Sequence, residues 1–177
     1  MRCTVVSSAL PTITWRCPGC HRPEAFASSE RFRANANGKL IDIWLVYRCT
    51  RCEATKNITV VERTPVRRVD PRLLRAAEAD DAGVARRLAR DVGLLRRNGA
   101  SIAAGDAWSL ATDAGPEDGR LELELPEPLL VRLDAIVAAA TGRPAREVRP
   151  AIGLPPGSPR PDALRLWPSV AVELRPA

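Results

Sequence analysis

Two cysteine pairs, Cys17-Pro18-Gly19-Cys20 and Cys49-Thr50-Arg51-Cys52, constrain this chain more than any other feature. Each C-x-x-C pair makes a tight knuckle that offers two thiolates, and two knuckles joined by a β-hairpin complete a tetrahedral four-sulfur shell for one zinc ion. The 28 residues between the pairs hold an Asn-Gly turn and a strand, which is the content of a long ribbon hairpin. A C-P-G-C dithiol is also the form of a thioredoxin-like redox pair, but such pairs sit at a helix start inside a βαβ unit. No βαβ pattern surrounds Cys17. The pattern therefore points to one structural zinc held by Cys17, Cys20, Cys49 and Cys52. Zinc with four protein ligands keeps no open position for water or substrate, so the site is expected to hold structure and do no chemistry.

At 177 residues and 45% hydrophobic content, the chain can bury a core as one medium domain or as two or three small ones, and we expect the latter. Met1-Arg2 is followed by few apolar residues, broken by Ser7, Ser8 and Pro11, which does not read as a signal peptide. No apolar run approaches the roughly 20 residues of a membrane span. Thiols kept free for metal need a reducing interior, so a cytoplasmic protein with no membrane partner is expected. The net charge of +6 is concentrated: residues 1–64 carry ten basic and five acidic side chains, residues 65–177 carry 17 and 16. Two explanations stand for the basic metal-binding part. Arg16, Arg22, Arg48, Arg51 and Lys56 could offset the net −2 of a zinc tetrathiolate, or they could face nucleic acid.

An α+β fold in three parts is expected. In the zinc-ribbon-like module, residues 1–64, Phe26 to Arg33 forms one strand and Asn35-Ala36-Asn37-Gly38 the reversal. Leu40 to Arg48 forms the longest strand and Asn57 to Glu62 returns beside it, giving a three-stranded antiparallel sheet. Strand position assigns Trp44 to the core, whereas Trp15 fits either core packing or base stacking. In the helical middle, residues 65–113, Asp70 caps a helix that starts at Pro71. Asp80 or Asp81 caps a second helix, which runs to the stop at Asn98-Gly99 with Val84, Leu88, Val92 and Leu95 on one face. Arg86, Arg87, Arg90 and Arg97 fall outside that stripe, on a solvated face. Trp108 and Leu110 are expected to close this part, and Ala114 to Gly119 to form a turn or linker. In residues 120–177, Leu121 to Leu125 alternates as a strand. Leu129 to Thr141 reads as a helix stopped by Gly142, Pro144 opens a short second helix toward Ile152, and Leu164 to Leu174 supplies closing strands.

The run Trp15-x-Cys17-x-x-Cys20, Phe32-Arg33-Ala34-Asn35-Ala36-Asn37-Gly38-Lys39, Asp42-x-Trp44-Leu45, Cys49-x-x-Cys52 and Glu62-Arg63 resembles the bacterial domain-of-unknown-function family 1062. Pro71 to Leu74, Leu94-Leu95-Arg96-Arg97-Asn98 and Ala107-Trp108 are similar as well. The resemblance implies a fold plan and no activity. It also implies a C-terminal unit similar to the S4 RNA-binding motif, in which two short helices present basic side chains to structured RNA. Val131-Arg132-Leu133-Asp134 would belong to the first helix, Gly142 to the turn, and Arg146 to Ile152 to the second. Arg132, Arg143, Arg146 and Arg149 would be the contacts. Pro144-Ala145-Arg146 stands where the motif has Ser-Arg-Ser, and Pro150 removes an amide donor from the second helix.

Enzymatic residues are sparse. His21 is the only histidine and adjoins Cys20, which suits a partner or spare ligand of the metal better than a general base. No Gly-rich phosphate loop, nucleophile elbow or metal-spaced acid cluster occurs. Cys3 lies far from the knuckles in what reads as a loose start, as a bystander thiol. Two readings follow: a non-catalytic RNA-binding protein, ribosome- or tRNA-associated, or a protein-interaction or regulatory module that docks a protein partner.

Overall fold

A strand forms where a loose start was expected. In the computed structural model, which describes residues 2–112, 120–154 and 156–174, β1 (Arg2–Ala9) opens the chain and buries Cys3 and Val5 completely. The chain folds as two compact units: Leu10–Ala104, and Met1–Ala9 together with Gly105–Ala177. Among the described residues no helix is long and apolar enough to cross a membrane.

The unit Leu10–Ala104 contains β2 (Thr12–Arg16), β3 (Pro23–Asn37), β4 (Leu40–Cys49), β5 (Thr55–Pro65), α1 (Pro71–Glu78), α2 (Ala82–Ala89), α3 (Val92–Arg97) and β6 (Ser101–Ala104). Its antiparallel sheet has five strands, in the order β5-β4-β3-β2-β6, where three were expected. The additions come from Thr12–Arg16, too short to read as a strand beside the knuckle, and from the segment after the helices. Along β4, Ile41, Ile43, Leu45 and Tyr47 are buried and alternate with part-exposed neighbours. The buried set joins Ile13, Phe26 and Ile58 in one core with Ala77, Ala85, Ala89, Leu94 and Leu95 of the helices. Strands before Pro65 and helices after it thus share a core. Each fully buried Leu or Ile contributes about 1.5–3 kcal/mol. Trp44 departs from expectation: it lies on the other face of β4, outside this core. Trp15 packs against the core instead.

The helices are three, not two, because a third aspartate interrupts the expected long one. Asp70, Asp81 and Asp91 each accept a hydrogen bond from a first-turn amide, those of Arg72, Val84 and Leu94, at 2.8, 2.9 and 2.9 Å. Such N-caps contribute about 1 kcal/mol each. Asp80 does not cap; it accepts from the Phe32 amide at 2.7 Å and from Arg31 at 2.9 Å, across from β3. Asn98 ends α3 and also completes a ladder rung at the β5 edge, accepting from Thr59 N–H at 2.7 Å and donating to Thr59 C=O at 3.0 Å. Gly99 follows at φ +72°, a conformation that favours glycine.

The second unit contains β1, β7 (Ala107–Thr112), β8 (Arg120–Glu124), β9 (Leu129–Val131), α4 (Leu133–Thr141), α5 (Ala145–Val148), β10 (Ile152–Gly153), β11 (Arg165–Trp167) and β12 (Val170–Leu174). Its main sheet runs β10-β12-β8-β1-β7, with β1 and β8 parallel and the other neighbours antiparallel. Strands β9 and β11 form a separate antiparallel pair. Trp108 and Leu110, expected to close the helical middle, lie in β7 and pack on this unit's core. Leu129 to Val131 is a buried strand and not the first turn of the helix, because Asp106 claims its backbone: the Leu130 amide donates to Asp106 Oδ2 at 2.7 Å, and Leu130 C=O accepts from Asp106 N–H at 2.8 Å. Helix α4 ends where expected, at Gly142 with φ +68°. The expected turn from Ala114 to Gly119 lies outside the described residues.

Candidate metal centre

The four cysteines sit at strand ends on one side of the sheet: Cys17 follows β2, Cys20 precedes β3, Cys49 ends β4 and Cys52 precedes β5. Their sulfurs all lie within 4.8 Å of one another, with Cys17 and Cys52 at 3.3 Å and Cys20 and Cys49 at 4.0 Å. A zinc ion bonded to four sulfurs at about 2.3 Å separates them by about 3.8 Å. The observed separations bracket that value, so the four thiolates fit a single metal ion. Cys3 does not belong to the group.

The two knuckles repeat one backbone pattern. In the first, the His21 amide donates to Cys17 C=O at 2.9 Å and the Cys17 amide to Arg22 C=O at 2.9 Å. In the second, the Glu53 amide donates to Cys49 C=O at 3.1 Å and the Cys49 amide to Ala54 C=O at 2.9 Å. His21 and Glu53, each directly after the second cysteine, both adopt positive φ, 58° and 62°. The signal for this was available in the matched spacing, but both positions carry residues other than glycine and pass unnoticed. His21 thus turns the chain and is not part of the four-sulfur group. Gly19 allows the sulfurs to converge, since a Cβ there would lie 2.9 Å from Cys52 Sγ.

The thiols do not titrate alike. Burial raises the Cys17 thiol, but the Cys20 amide, the Cys52 thiol and other donors outweigh it and bring it down to about 7. Burial, joined by the neighbouring thiols, pushes Cys20 up. Cys52 also rises: the Ala54 amide lowers it, yet the neighbouring Cys17 and burial prevail. Thiols bind a metal as thiolates, so metal binding at this group would release protons.

Of the basic residues expected near this site, Arg22 and Arg51 stand beside it. They line an open hollow with Gly19, Cys20 and Cys52, and both contact Glu24, at 2.6 and 3.7 Å. Arg48 pairs with Glu53 at 3.5 Å, next to the second knuckle. Lys56 covers the Trp15 ring, 3.8 Å from its centroid, so that ring face is taken and is closed to a base.

The C-terminal arginines divide into two groups. Arg132 and Arg149 both bond the carboxylate of Asp134, whose side chain is fully buried, at 2.8 and 2.9 Å. Arg149 also reaches Asp162 at 3.5 Å. Arg149 thereby holds the turn after α5 to α4, while Arg132 braces the start of α4, and both side chains stay part-exposed, at 41% and 46%. Arg143 and Arg146 are exposed as well and stand apart from Asp134, with Arg146 4.0 Å from Glu147. The unit Leu10–Ala104 carries 18 basic against 10 acidic side chains, and the remainder 9 against 11, so the positive charge lies with the metal centre.

No curated protein and no solved structure matches the chain. A family model described as Protein of unknown function (DUF1062) matches residues 34–152, beginning after the first knuckle and including Cys49, Cys52 and the helices. The chain belongs to that family.

Proposed function

We propose that this protein is a non-catalytic, cytoplasmic RNA-binding protein organised by one structural zinc ion. The observation that carries the reading is the coincidence of a closed four-cysteine group with the strongly basic unit, 18 positive against 10 negative side chains. Sulfur-only tetrahedral shells suit zinc, and four protein ligands leave it no catalytic position. The basic unit supplies the electrostatic attraction on which binding to phosphates depends. The C-terminal unit takes a smaller part, because it carries 9 basic against 11 acidic side chains and Asp134 engages both Arg132 and Arg149. The S4-like reading of that unit rests on its helix, tight glycine turn and short helix alone.

One observation favours a protein-docking module instead: Leu164 and Leu166, at or beside β11, are exposed at 40% and 49%. Crosslinking in cells, followed by identification of the attached RNA and protein, separates the two. RNA joined to peptides of residues 10–104 supports the proposal. Recovery of one protein partner joined through residues 164–166, without RNA, overturns it.

A further inference from the structure

The five-stranded sheet has two unlike faces. One carries the helices; the other presents Thr12 and Thr14 of β2, Arg33 of β3, Trp44, Val46 and Arg48 of β4, and Thr59 of β5. Arg33, Trp44 and Thr59 lie in one row across three strands. The Arg33 guanidinium carbon is 5.9 Å from the centroid of the part-exposed Trp44 ring, at the outer limit of a cation–π contact. Arg33 has no carboxylate partner among the described residues. Arg48, four residues along β4 on the same face, pairs with the exposed Glu53 at 3.5 Å. Asp42, the acid of β4, accepts the Arg63 amide at 2.7 Å. Arg31 is tied to Asp80 and is not counted.

We infer that the sheet face opposite the helices binds single-stranded nucleic acid, with Trp44 stacking on a base and Arg33 and Arg48 meeting the backbone phosphates. The inference rests on the RNA-binding proposal and locates it. Leu40, Trp44 and Val46 of β4 lie on this face, but they are flanked by the guanidiniums of Arg33 and Arg48 and the hydroxyls of Thr12, Thr14 and Thr59, a mixture that suits a polyanion better than a purely apolar protein partner. Every base has a π-face, so a single aromatic platform accepts any sequence, while planar guanidiniums match phosphate oxygens in pairs. The face belongs to the unit with the excess positive charge, which draws a polyanion toward it.

The test uses the full-length, metal-loaded protein and fluorescence anisotropy with labelled oligouridylate, oligothymidylate and a hairpin RNA, titrated with salt. Single strands are expected to bind at low salt. Equal affinity for the two assigns the site to either sugar, and a preference for oligouridylate assigns it to RNA. Trp44→Ala should weaken binding about ten-fold, and Trp44→Phe, which keeps a stacking ring, should retain most of it. Arg33→Gln and Arg48→Gln should each flatten the logarithmic salt slope by about 0.7. Metal content and melting temperature of Trp44→Phe report whether the fold is kept. If single strands bind equally well to Trp44→Ala, the inference fails. If only the hairpin binds, and Arg143→Glu with Arg146→Glu abolishes it, the inference fails while RNA binding stands. If no probe binds at low salt, both fall.

Discussion

Gly19→Ala isolates the geometry of the metal centre from the stability of the fold. A Cβ at this position would meet Cys52 Sγ at 2.9 Å, and ordinary contacts of this kind begin at 3.4 Å, so the sulfur must retreat by about 0.5 Å. Metal–ligand distances tolerate about 0.2 Å. The retreat exceeds that tolerance, and the expected loss of metal affinity is 10- to 100-fold, about 1.4–2.7 kcal/mol. Gly19 is not in the left-handed region, so alanine brings no backbone strain there. In the metal-free protein, whose Leu10–Ala104 strands are expected to be lost, the same substitution should leave the melt of the remaining structure unchanged. Gly38→Ala provides the converse control: φ is +61° and nothing lies within 4 Å of its Cβ, so about 1–2 kcal/mol of stability should be lost with no change in metal affinity. The assay is competition with a chromophoric chelator at fixed pH, alongside melts of metal-free and loaded protein. An affinity for Gly19→Ala indistinguishable from that of the native protein would refute the argument, as would an equal loss of stability with and without metal.

Elemental analysis should find one zinc per chain, and chelation or Cys49→Ser should unfold the strands of Leu10–Ala104, read by loss of their amide protection. Asn98→Ala removes both bonds to the Thr59 backbone and a third to Leu94 C=O, and should cost about 1–3 kcal/mol by urea denaturation, with faster exchange at the Thr59 amide. Asp134 is raised by burial, but hydrogen bonds from Arg132 and Arg149 outweigh that and hold its carboxyl below the usual range. Its folded value is therefore lower than the unfolded one, about 3.9, so its contribution is present above pH ~4 and is lost as pH falls through the depressed value. Asp134→Asn should remove that acid sensitivity from the melt of the second unit.

How much could be read beforehand depended on the distance over which each feature is decided. The grouping of the four cysteines was legible because C-x-x-C spacing is a local property, and for the same reason so were the cap Asp70 and, as one of two candidates, Asp81. The place of β1 was not, because its parallel partner β8 lies more than 100 residues away in sequence. Leu129 to Val131 could be helix or strand by composition, and a carboxylate 24 residues earlier decides it. The role of Arg149 was hidden likewise, since its acceptor Asp134 lies 15 residues back, across a turn. Trp44 shows the physical reason most plainly. Strand β4 is apolar on both faces, with Ile41, Ile43, Leu45 and Tyr47 on one and Leu40, Trp44 and Val46 on the other, so hydrophobic alternation could not say which face the helices would take. The same ambiguity leaves the register of β4 weakly specified by burial, since a one-residue slip exchanges one apolar set for another. The cysteines offer a way to remove it: one ion held by Cys17, Cys20, Cys49 and Cys52 would tie the ends of β2, β3, β4 and β5 at fixed positions. A structural metal at that group would thereby set the row Arg33, Trp44 and Thr59, and any ligand of that sheet face should lose its site when the metal is withdrawn.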